Sequence, residues 1–289
     1  MRENTHTLLS FLGQALGVPL GAIPLSECRV ERAYLLEKNA LSLDGTVVLL
    51  TVPYMMTDDV HDPHRNLSIY AIPEDYHGYF EKLKQELIPN LYHHFPDYHF
   101  GLFSDHSPIL EVDAAVKCGM GILGENGLLI TPQYGSFVFI GEIVTDMTYE
   151  LVTGQEHAFV PSPMRHCDGC GACISACPGQ CLPNSRNTCV SAISQKKGEL
   201  SEEEAALLCK QSLIWGCDTC QLVCPMNQQV LEKRISTPIA YFQNNRRTVL
   251  NENDILEMPE DIFQKRAYSW RGRTVILRNL KLQKERRKS

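Results

Sequence analysis

Apolar and polar positions alternate with two different rhythms in the first half of this 289-residue chain. Leu8, Leu9, Leu12 and Leu16 recur at helical spacing, and the periodicity predicts helix through residues 1 to about 40. Residues 46–53 form an unbroken β-branched run closed by Pro53, the pattern of a buried strand. The stretch from Met55 to Asn66 turns polar and reads as a loop, in which His61 and His64 are either solvated or metal ligands. Beyond it, Tyr76, Phe80, Leu83 and Leu87 share one face of an amphipathic helix over residues 75–91. A strand at residues 100–103 is followed at once by Asp105, where a carboxylate is placed either for chemistry or as a turn residue. Helix is expected at 108–117, then strands at 128–130 and 136–144 joined by a Pro-Gln-Tyr-Gly turn. The pattern to residue 150 is therefore mixed α and β.

Past the two prolines of residues 159–163, which read as a linker, hydrophobic periodicity gives way to cysteine spacing. Cys167, Cys170, Cys173 and Cys177 stand in a C-x2-C-x2-C-x3-C-P run, and Cys217, Cys220 and Cys224 repeat its last three positions. The first run is the spacing of a two-cluster bacterial ferredoxin, whose fourth cysteine crosses to the other cluster. Cys189 supplies the missing position. The crossing assigns Cys167, Cys170, Cys173 and Cys224 to one 4Fe–4S cluster, and Cys177, Cys189, Cys217 and Cys220 to the other. Structural zinc is the competing reading of paired C-x2-C motifs, and Cys181 or Cys209 could replace Cys189 as the eighth ligand. Within this half, Ser201 and Glu204 form a capping box opening a helix that Gly216 is expected to close. Short helices are expected over residues 259–282.

Composition changes this picture in two ways. Apolar content of 44% and a charged fraction of 21% suit a globular chain with a sizeable core. Twelve cysteines, with no signal-peptide pattern or membrane-length apolar run in the sequence, point to a cytoplasmic location and to metal rather than disulfides. The net charge of −7 is also uneven. From Lys265 onward ten Lys or Arg accompany one acid, leaving 17 basic against 33 acidic residues elsewhere. A basic tail on an acidic body is either a nucleic-acid contact or a solvated helix end.

Glycines 119, 121, 124 and 127 bracket a loop able to bring bare backbone against a large flat or anionic ligand. Several segments together then resemble the epoxyqueuosine reductase family. They are Tyr70-Ala71 with Asp75-Tyr76-His77, Asp105, Ala114-Ala115, Gly119 to Asn126, Gly135-Ser136-Phe137 and Gly141-Glu142-Ile143. Gly216-Cys-Asp-Thr-Cys-Gln-Leu-Val-Cys-Pro225 with Asn227, and Arg271-Gly272-Arg273 with Leu277-Arg278-Asn279, complete the match.

The resemblance implies an α+β architecture. A cobalamin-binding α/β domain (1–160), similar to nitroreductases and reductive dehalogenases, would precede a double 4Fe–4S ferredoxin-like domain (161–235) and a basic helical segment (236–289). It implies reduction of epoxyqueuosine to queuosine in tRNA by cob(I)alamin, with the two clusters supplying electrons. Gly119, Gly121, Gly124, Asn126, Gly135, Ser136 and Phe137 would seat the cofactor, and Asp105 would be the general acid. A low-potential donor such as flavodoxin or ferredoxin, no membrane and a monomeric state go with that reading.

The chain departs from the family at Glu125, where a lysine is usual, and at Ile69, where an arginine is usual. With the sequence stopping at Ser289, the chain is expected to lack the helical-repeat extension of longer members. These departures keep two other activities in view: the same cofactors acting on a small molecule, as in reductive dehalogenases, or electron transfer to a corrinoid partner.

Overall fold

The computed structural model describes residues 7–183 and 187–286. Among the described residues the strands are β1 (Leu20–Pro24), β2 (Thr46–Pro53), β3 (Phe100–Phe103), β4 (Ile122–Leu123), β5 (Leu129–Ile130) and β6 (Val138–Thr145). Four of them make one sheet in the order β1-β2-β6-β3, antiparallel throughout, while β4 and β5 pair as a small ribbon. Every residue of β2 is buried because helices cover both faces of the sheet. Val48, Leu50 and Val52 share a core with Leu8 and Leu12 of helix Leu8–Leu16 and with Phe80, Leu87 and Leu91 of helix Tyr76–His94. Val47 and Leu49 belong to a second core with Ala114, Ala115 and Val116 of helix Glu111–Lys117. An unbroken apolar run is what a two-sided strand requires, each such side chain contributing about 1.5–3 kcal/mol on burial.

Three expectations for this half are corrected. The helix predicted to about residue 40 stops at Leu16, since Gly17 takes the left-handed conformation (φ 61°) and Pro19 follows. Leu20 then opens β1 by pairing with Leu50 of β2. The loop at 55–66 holds a short helix, Thr57–His61, whose Asp59 is buried against Arg246. His61 and His64 remain exposed, and among the described residues no three His, Cys, Asp or Glu side chains gather around a single metal ion. Finally, ligand crevices at strand ends belong to parallel sheets. Asp105 instead hangs from the edge strand β3 of an antiparallel sheet.

The cysteine-rich half is built from short helices, with the Ser201–Glu204 capping box formed at the head of Glu202–Leu208. That helix ends at Cys209, and Gly216 lies beyond it in irregular chain. Gly216 has φ 74°, and a Cβ there would collide with Ser68, so only glycine lets the chain pass.

The C-terminal segment packs back on both halves. Leu250, Ile255, Phe263, Tyr268 and Ile276 share a core with Leu67, Ile72 and Trp215. Four of its arginines are engaged by that packing. Arg266 donates to Asn245 O, Arg273 to Met258 O, Arg278 to Lys196 O and Arg286 to Gln211 O, at 2.6 to 3.1 Å. Gln283 is buried and donates to Leu208 O and Gln211 O. The helix Arg273–Arg286 is thus a structural brace, and Arg287 and Lys288 lie outside the described residues.

Glu142, on β6, is fully buried, and neither carboxyl oxygen has a hydrogen-bond partner. Burial, then the nearby Glu111 carboxyl, pushes its acid well above the usual range, so it is held neutral. Such a group stabilises the fold at low pH, and the stability is lost as pH rises from the ordinary carboxyl range toward the raised folded value. Glu142→Gln keeps the shape without the acid. It should melt close to the parent at pH 5 and above it at pH 8, and a pH-independent difference in melting temperature would rule this out.

Candidate functional site

A buried polar seam fastens the cysteine-rich half to the sheet. Gln221, in the helix carrying Cys220, donates its amide to Tyr54 Oη at 3.2 Å and Ser136 O at 2.9 Å. Asn227 donates to Ser136 Oγ at 2.8 Å and accepts from Ser136 N at 2.9 Å. A Cβ at Gly135 would strike Asn227, so that glycine permits the close approach. Asp218, between Cys217 and Cys220, is buried as well. It accepts from Arg65 at 2.5 Å, from Ile69 N and from Ser68 Oγ. These bonds fix the segment bearing the two thiols, because leaving any one partner alone would cost about 1–3 kcal/mol.

Two cavities are lined by the cysteines. The smaller, about 110 Å³, is walled by Cys167, Cys170, Cys173 and Cys224 with Gly124, Glu125, Ile130 and Met226. Glu125 N donates to Cys167 Sγ at 3.4 Å, the kind of amide–sulfur contact that stabilises a thiolate. The larger cavity, about 600 Å³, receives Cys177, Cys181, Cys189, Cys217 and Cys220 on one side and Tyr54, Tyr70, Tyr76, Val138 and Phe139 on the other. Asn126 borders both. Sulfur donors of this number and grouping fit two iron–sulfur clusters. Cys209 lines neither cavity, its thiol pointing at Leu282 O, 3.8 Å away. Cys181 does line the larger one, with its sulfur 3.4 Å from that of Cys177.

Of the residues expected to seat a large flat cofactor, Asn126 and Ser136 line the larger cavity and Gly124 the smaller. Gly119, Gly121, Gly135 and Phe137 line neither. The space a Cβ would take at Gly121 is filled by the backbone of Ile130, and at Gly135 by Asn227, so these glycines serve close packing of the protein on itself. Phe137 is a core residue, edge-on to Tyr54. Glu125 faces the smaller cavity and Ile69 is buried in the first core, so neither departure alters the wall of the larger cavity.

Asp105 reaches the larger cavity through a strained turn with φ 60°, a conformation Asp tolerates better than most residues. Opposite it stands His77, a residue the sequence showed only as part of a motif. Asp75 caps helix Tyr76–His94 and receives His77 Nδ1 at 2.9 Å, while Nε2 lies 3.7 Å from Asp105. Tyr76 stacks on the His77 ring at 4.1 Å and on Phe139 at 4.2 Å. Flanked by Asp105 and then Asp75, the imidazole is raised to about 9, and its positive charge holds Asp105 below the usual carboxyl range. The proton of this pair therefore rests on His77 at neutral pH, with Asp105 as its carboxylate partner.

Fold and site define an iron–sulfur protein in which a double-cluster module faces a proton-bearing cavity on an α/β layer. Residues 166–227 match a 4Fe-4S double cluster binding domain. The chain is homologous to epoxyqueuosine reductases: it is 29% identical over 213 residues to the enzyme of Lactococcus garvieae. That match covers 72% of this chain and 58% of the relative, so the chain spans little more than half the length of that protein. The fold is that of epoxyqueuosine reductase from Streptococcus thermophilus, with a TM-score of 0.73 at 20% identity over 97% of this chain and 81% of that one. A crystal structure of epoxyqueuosine reductase with an epoxyqueuosine-modified tRNA-Tyr stem loop matches at TM-score 0.67 and 22% identity, over 95% and 79% of the two chains.

Iron content tests the ligand grouping. Anaerobically prepared protein should hold about eight iron per chain, and Cys189→Ala about four. Cys209→Ala should keep the full complement, as should Cys181→Ala. Loss of iron in Cys181→Ala with retention in Cys189→Ala would exchange their roles.

Proposed function

We propose that this chain reduces epoxyqueuosine to queuosine in tRNA, using two 4Fe–4S clusters and cobalamin. The observation that carries the reading is a single cavity with cysteine thiols on one wall and the His77–Asp105 proton pair on another. Removal of an epoxide oxygen as water consumes two electrons and two protons, so a source of each must meet at one place. Homology to epoxyqueuosine reductases supplies the substrate. Cobalamin, when bound, supplies a cobalt centre able to take electrons singly and deliver them to carbon.

The cavity suits such a guest. Tyr54, Tyr76, Val138 and Phe139 give a flat, largely apolar wall for a planar ring system. His77 lines it too, and both of its ring nitrogens face carboxylates, so this side chain would hold a proton beside the guest. The thiols of Cys177, Cys189, Cys217 and Cys220 would hold the cluster nearer the corrin, and Cys167, Cys170, Cys173 and Cys224 the farther one. Cys170 is exposed, so electrons from a low-potential donor enter on that side.

His77 and Asp105 act together in the proton step. As the epoxide C–O bond opens, the oxygen takes a proton from this pair, drawn from the imidazolium either directly or through the Asp105 carboxyl. Asp75 holds the ring in place and keeps it charged.

An anaerobic assay with an epoxyqueuosine-bearing tRNA, cobalamin and a low-potential reductant tests this directly, and formation of no queuosine would exclude the reading. Asp105→Asn should slow turnover by roughly 10² to 10⁴ while leaving iron content unchanged. Parent activity should fall as pH rises through about 9, where His77 loses its proton. In His77→Gln, Asp105 loses the charge that depresses it, and the falling limb should move below pH 7. An unmoved limb would mean that another group gives the proton.

A further inference from the structure

Trp270 occupies a 3-10 turn, Ser269–Arg271, and lines the larger cavity, as Asp105 and His77 do, yet the residue is 56% exposed. Single exposed aromatic rings are ordinary on protein surfaces, and what sets this one apart is its place on a cavity wall and the cation laid upon it. The turn beneath it is rigid. Tyr268 is fully buried against Trp215 and Phe263, Ser269 Oγ donates to Gln264 O, and Gly272 N donates back to Ser269 O at 2.8 Å. The Arg271 guanidinium lies over the ring, 3.7 Å from its centroid. Arg273 and Arg278 of the same segment are spent on backbone carbonyls, whereas Arg271 is given to this exposed ring.

A fixed aromatic ring carrying a planar cation at the mouth of a reaction cavity is the arrangement that receives a splayed-out base of single-stranded RNA. Every base offers a π-face, and the cation attracts the adjoining phosphate. We propose that Trp270 and Arg271 form a stacking platform for the nucleobase next to the modified nucleoside, holding the loop open while that nucleoside enters the cavity. This rests on the tRNA reading above and assigns the platform to a neighbouring base, not to the reacting one. It also relocates RNA recognition from the basic C-terminal helix to the cavity mouth.

The chain has two tryptophans, and Trp215 is fully buried, so a fluorescence change on RNA binding reports Trp270. The cluster-loaded protein should be titrated with an epoxyqueuosine-bearing anticodon stem loop and with the same loop made abasic at each neighbouring position. Quenching that saturates with binding is expected, and it should vanish in Trp270→Phe while affinity is largely kept. Trp270→Ala should weaken binding roughly tenfold or more, the range of one lost base stack, and the loss should fall on KM rather than kcat. With one of the abasic loops, parent and Trp270→Ala should bind alike. Equal affinity of parent and Trp270→Ala for the intact loop, with parent turnover normal, would overturn the platform and leave the reductase reading standing. Failure of the parent protein to bind or convert the loop would overturn both.

Discussion

The structure hangs on one buried polar seam. Gln221 and Asn227 reach from the cysteine-rich half into the sheet half and bond Ser136 and Tyr54. Amides buried this deeply are tolerated only when their partners are in place, which makes the seam selective for a single docking pose. That pose sets the two cysteine groups against the α/β layer and creates the larger cavity between them. Asp218 with Arg65 secures the same Cys217–Cys220 segment. The cavity that brings thiols and proton pair together is therefore a product of one junction, not of either half alone.

The sequence disclosed the iron–sulfur half more fully than the sheet half, for physical reasons. Cluster ligation demands cysteine at short, fixed intervals, so the chemistry is written in the spacing itself. Strand β2 was equally legible, since a strand buried on both faces must be apolar at every position. Strand β1 was not: Leu20 to Pro24 carries Gly21, and its pairing with β2 depends on a partner distant in the chain. The glycines of the 119–127 loop look the same on paper whether they make room for a ligand or for the protein's own backbone. Gly121 proves to do the second, as does Gly135 in the turn that follows. His77 was hidden because its significance lies in two carboxylates, Asp75 and Asp105, that come from separate elements.

The charge pattern teaches a related lesson. Ten basic residues in the last segment suggested a surface for phosphate, but several of their guanidinium groups cap backbone carbonyls at loop and helix ends inside the molecule. Arginine suits that task because its planar fork satisfies more than one acceptor at once. Sequence charge counts cannot separate such internal mortar from an electrostatic footprint. Glu125 and Ile69, which would each remove a positive charge relative to the family, likewise fall away from the larger cavity.

The thiols of Cys177, Cys189, Cys217 and Cys220 open into the same cavity that a planar guest would fill. On the proposed reading, a guest seated against Tyr76 and Phe139 would share that space with the inner cluster's ligands. Iron and sulfide would then reach the thiols more freely before the guest than after it, which would give maturation of the protein a preferred order.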